Sequence, residues 1–406
     1  MGSERLGPLK EGPFARLFTA ALVSAIGDWA SLVALGFGVL AFGSTTDLGL
    51  ILVAREVPIV LLVLVGGVYA DRLSRRKVLV SADLVRAAAQ AGSALVLVSA
   101  HPSSLLLAGC AVLNGAGSAF ARPAHTGFVS ELVSAPRLQQ ANALMGLSRS
   151  SIAIVGTTVG AVLVEAVSPA GALAVDAASF VGAALLVGSI RETGATASPA
   201  QSPLADLRVG WVEFRSRTWV WVMVASFGAF QLSLFPIISV LGPDIAKRDL
   251  GGASAWAAIL ASGALGGLVG GLLSLGANPA RPLVWSTLFG IPMAAYVASL
   301  GLAAPVAVIA AISFVAWVGI SLSDSLWTTA LQRNVPNEVL ARISSYDWLG
   351  SLALNPIGFA LVGPLAAATS NSAVALASAF VITASSLIVL AVPSVRRLGL
   401  DALPRD

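Results

Sequence analysis

The feature that most constrains this chain is a recurrence of apolar stretches, each long enough to cross a lipid bilayer. A helix crossing the hydrocarbon core needs roughly 20 mostly apolar residues, and clusters of charge, Pro or Gly mark the breaks between such stretches. On that rule the sequence predicts spans near 14–42, 48–70, 77–100, 104–121, 140–167 and 170–190. A second set follows near 219–245, 254–276, 282–302, 305–331, 340–367 and 371–392. Composition enters in support. Only 11% of the 406 residues are charged, where a soluble domain carries about 25%, so most of the surface must face lipid or other helices. The 40 glycines fit as well, since small residues let membrane helices approach closely. The expected fold class is an all-α membrane protein of twelve spans.

The longest polar stretch, Arg191 to Arg217, separates the two sets. The expected domains are a six-helix bundle over 1–192, a cytoplasmic linker over 193–218, and a second six-helix bundle over 219–406. The linker reads as an amphipathic surface helix from Leu204 onward. Orientation follows from Lys/Arg asymmetry. With the N-terminus in the cytoplasm, 19 of the 24 Lys and Arg fall on the cytoplasmic side, Lys247 and Arg248 fall outside, and Arg55, Arg86 and Arg149 fall within spans. Both termini are therefore expected in the cytoplasm, with the chain in a bacterial inner membrane. The polar residues 1–13 and the length of the first apolar stretch argue against a cleavable signal peptide. The single cysteine, Cys110, excludes an internal disulfide. The net charge of +4 does not gather into a basic patch with interleaved aromatics, so no nucleic-acid partner is expected.

Two motifs narrow the class. The segment from Leu132 to Gly156 echoes the segment from Asn334 to Gly358 at an offset of 202 residues, which with the six-linker-six plan indicates a parallel repeat of two halves. The loop between spans two and three reads Gly67-Val-Tyr-Ala-Asp71-Arg72-Leu-Ser-Arg75-Arg76-Lys77. It resembles the G-x-x-x-D-R/K-x-G-R-R/K loop of the major facilitator superfamily. Gly67 would let helices approach, Asp71 would accept hydrogen bonds at a helix N-terminus, and the basic cluster would sit at the anionic leaflet. A plain positive-inside loop explains the basic residues but not the glycine and aspartate spacing. The segments Ala121-Arg122-Pro123-Ala124, Gln140-Ala-Asn142-Ala, Val175-Asp176-Ala177-Ala-Ser-Phe180 and Val335-Pro336-Asn-Glu338-Val-Leu-Ala-Arg342 resemble the exporter group that includes the enterobactin exporter and the macrolide efflux pumps.

That resemblance, over nearly the whole chain, implies twelve helices in two bundles related by a pseudo-twofold axis. It also implies export driven by an ion gradient, usually protons, with drugs, siderophores or other secondary metabolites as cargo. Three positions depart from the family pattern. Ala111, ahead of Asn114-Gly115, stands where many proton antiporters carry arginine. The span-five signature G-P-x-x-G-G appears as Gly156-Thr157-Thr158-Val159-Gly160-Ala161, without its proline. The second-half copy of the loop, around Gly270 to Gly276, has lost its acid.

Charges at membrane depth are costly, so each invites a function. Asp28, in the middle of span one, shares a helical face with Ala21, Ser24, Ser31 and Leu35. A carboxylate there suits proton exchange or pairing with a cationic substrate; the structural alternative is an ion pair with Arg149 or Arg55. Asp324 shares a face with Trp317 and Ser321 in span ten, and Asp347 with Ser351 and Asn355 in span eleven. These residues and Asn114 are candidates to line a cavity. Asp83 and Arg86, three apart, read as a gate pair near the loop motif. Arg149 is either a counter-ion to a cavity acid or a packing residue. Glu165, Asp176 and Asp244 read as near enough to span ends to reach water. No P-loop, metal cluster or nucleophile elbow is present in the sequence, so neither an enzyme nor an ATP-driven pump is expected, and no cofactor beyond a proton gradient as energy source. The partners expected are a small-molecule substrate and membrane lipids, with a functional monomer. The leading function is proton-coupled export of an amphipathic small molecule. Import or lipid flipping on the same fold, and a non-transporting sensor or scaffold, are the alternatives.

Overall fold

The computed structural model describes residues 7–72, 74–134, 137–191, 211–274, 276–277, 279–335, 343, 346–347 and 349–398; the side chains of 63–72 and of a few other positions, mostly between 123 and 154, lie outside that description. Six long helices fill the first part: α1 (Gly12–Phe42), α2 (Thr45–Arg72), α3 (Arg75–Val98), α4 (Ser104–Leu132), α5 (Leu138–Ala166) and α6 (Pro169–Gly188). Six follow: α7 (Thr218–Leu250), α8 (Ala253–Ser274), α9 (Pro282–Gly301), α10 (Val306–Asn334), α11 (Leu349–Ala368) and α12 (Asn371–Ala391). Among the described residues, nine of these are long and apolar enough to cross a membrane. The other three, α2, α3 and α5, run 28, 24 and 29 residues, which at 1.5 Å per residue exceeds the roughly 30 Å core.

The helices start and stop for local reasons. Ser74, Ser103, Ser168 and Ser370 each accept a hydrogen bond from a backbone N–H in the first turn of α3, α4, α6 and α12, satisfying a donor that has no intrahelical partner. Ser44 and Asp47 cap α2 reciprocally: Asp47 N donates to Ser44 Oγ at 3.2 Å, and Ser44 N to Asp47 Oδ2 at 2.8 Å. Gly251 and Gly252 take φ of +98° and +94° between α7 and α8, backbone that a side chain would strain. Along α7 the regular ladder gives way to π-helical turns at Ile237–Leu241 and Ala246–Leu250, beside Pro236 and Pro243, which bring no N–H to it.

Span four was expected to end at 121, but α4 continues to Leu132. Its last turns bury Phe128, Val129 and Leu132 against Phe14, Leu17, Val78 and Leu79, and a proline is tolerated in a packed membrane helix. The expected linker helix lies outside the described residues up to 210. Residues 211–216 are helical, and Phe214 is buried with its ring tilted against that of Tyr346, centroids 5.7 Å apart.

The chain divides into two compact units, Met1–Ser198 with Gly251–Ala257, and Pro199–Leu250 with Ala258–Asp406. Within each, glycines bring helices together. In the first unit, a β-carbon at Gly160 of α5 would lie 2.6 Å from Ala30 Cα of α1, and one at Gly115 of α4 would collide with the Arg55 carbonyl of α2. In the second, Gly266 of α8 packs in the same way on the Phe314 carbonyl of α10, and Gly319 of α10 on the Phe289 carbonyl of α9. This is close small-residue packing, which membrane helices use because lipid provides no hydrophobic drive between them. Large apolar side chains point outward instead, among them Leu105 and Phe380 at 81% and 73% exposed.

Candidate functional site

The first unit is built around a buried guanidinium. Arg86 stands eleven residues into α3, about 16 Å along the axis, and its Nη2 donates to both carboxylate oxygens of Asp28 on α1, at 2.8 and 2.6 Å. Its Nη1 lies 3.7 Å from Asp83 Oδ1 on its own helix. The ring of Phe180 on α6 faces the guanidinium at 3.9 Å, a cation–π contact. Gly117 of α4 leaves room for the stem: a β-carbon there would sit 2.6 Å from Arg86 Cγ. One cation therefore serves two carboxylates, of which Asp28 is the more accessible, its side chain 28% exposed against 9% for Asp83.

One turn further along α3, Gln90 donates from Nε2 to Asp176 Oδ2 at 2.6 Å, and Ser179 donates to Asp176 Oδ1 at 3.2 Å. Gly27 of α1 makes room for Asp176, because any side chain there would collide with its carboxylate. Asp28, Asp83, Arg86, Gln90 and Asp176 thus make a polar core that joins α1, α3 and α6.

Among the described residues the partner of Asp28 is Arg86 and not Arg55; the Arg149 side chain lies outside the described residues. The expected Asp83–Arg86 pair is present at 3.7 Å, and Arg86 also reaches a nearer carboxylate, Asp28, across the helix interface. Asp176 was placed within reach of water, yet it is fully buried. It lies seven residues into α6, and Gln90 and Ser179 hold it there.

The loop motif is engaged with protein. Arg75 Nη1 donates to the Gly127 carbonyl at 2.7 Å and pairs with Glu131 at 2.9 Å on α4. Arg76 Nη1 donates to the Ile190 carbonyl at 3.0 Å, and Arg16 of α1 to the Ser189 carbonyl at 2.9 Å. Both carbonyls lie just past the C-terminus of α6, where unpaired oxygens and the helix dipole favour cations. Arg75 and Arg76 tie α3 to α4 and to the end of α6, since those carbonyls and Glu131 are in reach. Gly67, Asp71 and Arg72 belong to α2, but their side chains lie outside the described residues.

The expected lining residues divide. Ser31 donates to the Asp28 carbonyl at 2.9 Å and Ser24 to the Ala21 carbonyl at 3.4 Å, each on its own helix. Asn114 of α4 is buried. In the second unit, Ser321 donates to the Gly267 carbonyl at 2.9 Å, and Trp317 packs over Gly263, so both seal α10 against α8. Asp324 is exposed and has no hydrogen bond or ion pair among the described residues. Asp347 accepts from Trp327 Nε1 at 2.9 Å. Trp327, which the sequence reading passed over, packs edge-on to Trp219 and Phe227, at 5.8 and 5.5 Å between centroids. Its signal was its place three residues after Asp324, on the same helical face. Ser351 is half-buried, and Asn355 is buried with its Oδ1 unpartnered among the described residues.

The family profile described as Major Facilitator Superfamily matches residues 17–351. The chain belongs to the major facilitator superfamily. It is a multi-pass membrane transport protein and not an enzyme. This major facilitator protein is 26% identical over 409 residues to the "Multidrug efflux pump Tap" of Mycobacterium tuberculosis (strain ATCC 25618 / H37Rv), covering 96% of this chain and 95% of that one. It is 26% identical over 347 residues to the "Enterobactin exporter EntS" of Shigella flexneri, covering 82% and 80%. Among solved structures it shares its fold with a POT family transporter in complex with a thioalcohol-conjugated peptide, at TM-score 0.75 and 12% identity, covering 93% and 95%. The nucleoside transporter NupG aligns at TM-score 0.70 and 13% identity, covering 93% and 98%.

Proposed function

We propose that the chain exports an amphipathic small molecule, such as a drug, siderophore or other secondary metabolite, by alternating access driven by proton entry. Similarity over 96% of the chain to a protein named as a multidrug efflux pump, and over 82% to one named as an enterobactin exporter, supports export. The observation that carries the mechanism is the Asp28–Arg86 pair: a part-exposed carboxylate held by a buried guanidinium that already faces a second carboxylate, Asp83. A proton or a cationic group on the cargo cancels the charge of Asp28, and Arg86 then keeps Asp83 as its partner. Loss of the proton draws Arg86 back. The pair is thereby a two-position element whose balance protonation and cargo both shift. The excess of Lys and Arg on one side, 19 of 24, supports an inner-membrane orientation with both termini in the cytoplasm.

The experiment uses the purified protein in sealed vesicles with an imposed proton gradient and a panel of fluorescent amphiphiles. Asp28→Asn is expected to lose gradient-driven transport while retaining downhill exchange. Wild-type gradient-driven rates in that variant would remove Asp28 from coupling, and accumulation on the opposite side would make the protein an importer.

A further inference from the structure

The first unit holds a second polar place that the ion-pair network leaves unused. Helices α1, α2, α3, α4 and α6 line a narrow, partly open cavity whose polar lining is Ser31, Arg55, Gln90, Ser93, Cys110 and Asn114, with room for about one water-sized particle. Asn114 is only 5% exposed, and neither its Nδ2 nor its Oδ1 has a hydrogen-bond partner among the described residues. The buried Nε of Arg55 has none either, and Arg55 makes no ion pair or hydrogen bond with any described residue. The two are held side by side, because Gly115, next to Asn114, lets the α4 backbone close on the Arg55 carbonyl.

The other polar groups around the cavity are occupied. Ser31 and Ser93 donate to carbonyls of their own helices at 2.9 and 3.0 Å, and Gln90 donates to Asp176. No carboxylate lines the cavity. Asp28 is taken by Arg86, and Asp176 by Gln90 and Ser179. Half-buried Arg55 brings one fixed positive charge about 15 Å into α2 by its rise, beside the unpartnered amide of Asn114, at a depth where an unpaired charge is costly. A bare water would satisfy the hydrogen bonds but bring no counter-charge.

We propose that this cavity binds a small monovalent anion of halide size, held by the guanidinium of Arg55 and the side-chain amide of Asn114. The anion neutralises the charge and clamps α2 to α4. Its binding does not depend on which molecule is transported, or on transport at all.

The test uses the full chain in detergent at constant ionic strength, with gluconate replaced stepwise by chloride or bromide. Wild-type protein is expected to show a saturable rise in Tm of about 3 °C, absent in Arg55→Gln and in Asn114→Leu. Cys110, the chain's single cysteine, lines the same cavity and gives a reading that needs no variant: halide is expected to slow its alkylation severalfold in the wild type. Tm and alkylation rates that ignore the halide would leave a water-filled cavity and overturn the proposal. So would an undiminished halide response in a folded Arg55→Gln protein.

Discussion

The two units solve one packing problem with different polar chemistry. Both bring helices together through glycines set against neighbouring carbonyls, Gly115 on Arg55 in the first and Gly266 on Phe314 in the second. The first then buries Asp83, Arg86 and Asp176 at the heart of its bundle. The second relies mainly on hydroxyls, buried or half-buried, that return their hydrogen bonds to nearby helices: Ser286 to the Ser323 carbonyl, Ser262 to the Ala310 carbonyl, Ser313 to the Ile259 carbonyl. Its buried acid, Asp244, lies near the end of α7, where Arg248, 67% exposed, pairs with it. Hydroxyl–carbonyl bonds of this kind are fixed glue. A guanidinium set between two carboxylates, at 2.6 and 3.7 Å, is the arrangement that the proposed response to a proton or a charged ligand requires.

Substitutions can break or sharpen this contrast. The largest effect is expected from Arg86→Met, which strands two carboxylates in the bundle, at a cost of about 3–5 kcal/mol read as a fall in thermal stability in detergent. Adding Asp28→Asn should recover part of that loss, and a wild-type melting profile for Arg86→Met would show the pair to be unimportant for stability. Gly115→Ala and Gly266→Ala should each cost about 1–3 kcal/mol through overpacking. Near-equal losses would show the packing rule to be common to both units, whereas a loss in one alone would break the parallel. Ser286→Ala should cost only about 0.6 kcal/mol, the average of interhelical hydrogen bonds in membranes, well below Arg86→Met in the same assay.

Smallest is Asp47→Asn, at the start of α2. Hydrogen bonds from the Ser44 hydroxyl and backbone N–H hold the Asp47 carboxyl below the usual carboxylate range. A carboxylate lowered by folding adds stability above its unfolded pKa and loses it as pH falls through its folded value. The variant should therefore melt slightly below wild type at pH 7, and the gap should close under acid. A gap independent of pH would assign the effect to helix shape rather than charge.

The rods were legible because a bilayer imposes its thickness on composition, and twenty apolar residues in a row have few other uses. Pairings across helices were not. Asp28 and Arg86 are 58 positions apart, and nothing in a helical repeat says which face of α1 meets which face of α3. The i, i+3 spacing of Asp83 and Arg86 was visible, but it pointed to the weaker contact at 3.7 Å. Counting residues from the loop would have placed Arg86 at mid-depth and marked it as the natural partner for the acid of span one. Asp176 escaped because its depth depends on where α6 begins, and Pro169 with the cap of Ser168 sets that start only a few residues before it. Among the lining candidates, Asn114 does line a cavity, whereas Ser321 and Trp317 are used to seal α10 against α8, an outcome decided by the glycines opposite them.

The arginines on the carbonyls just past α6 have a mechanical consequence. Arg16 and Arg76 grip Ser189 and Ile190, the residues by which the chain leaves α6. A load applied at that exit does not fall on one helix alone. It passes at once into α1 and α3, so three rods share the strain, and the anchorage of the polypeptide there is as strong as the bundle that holds it.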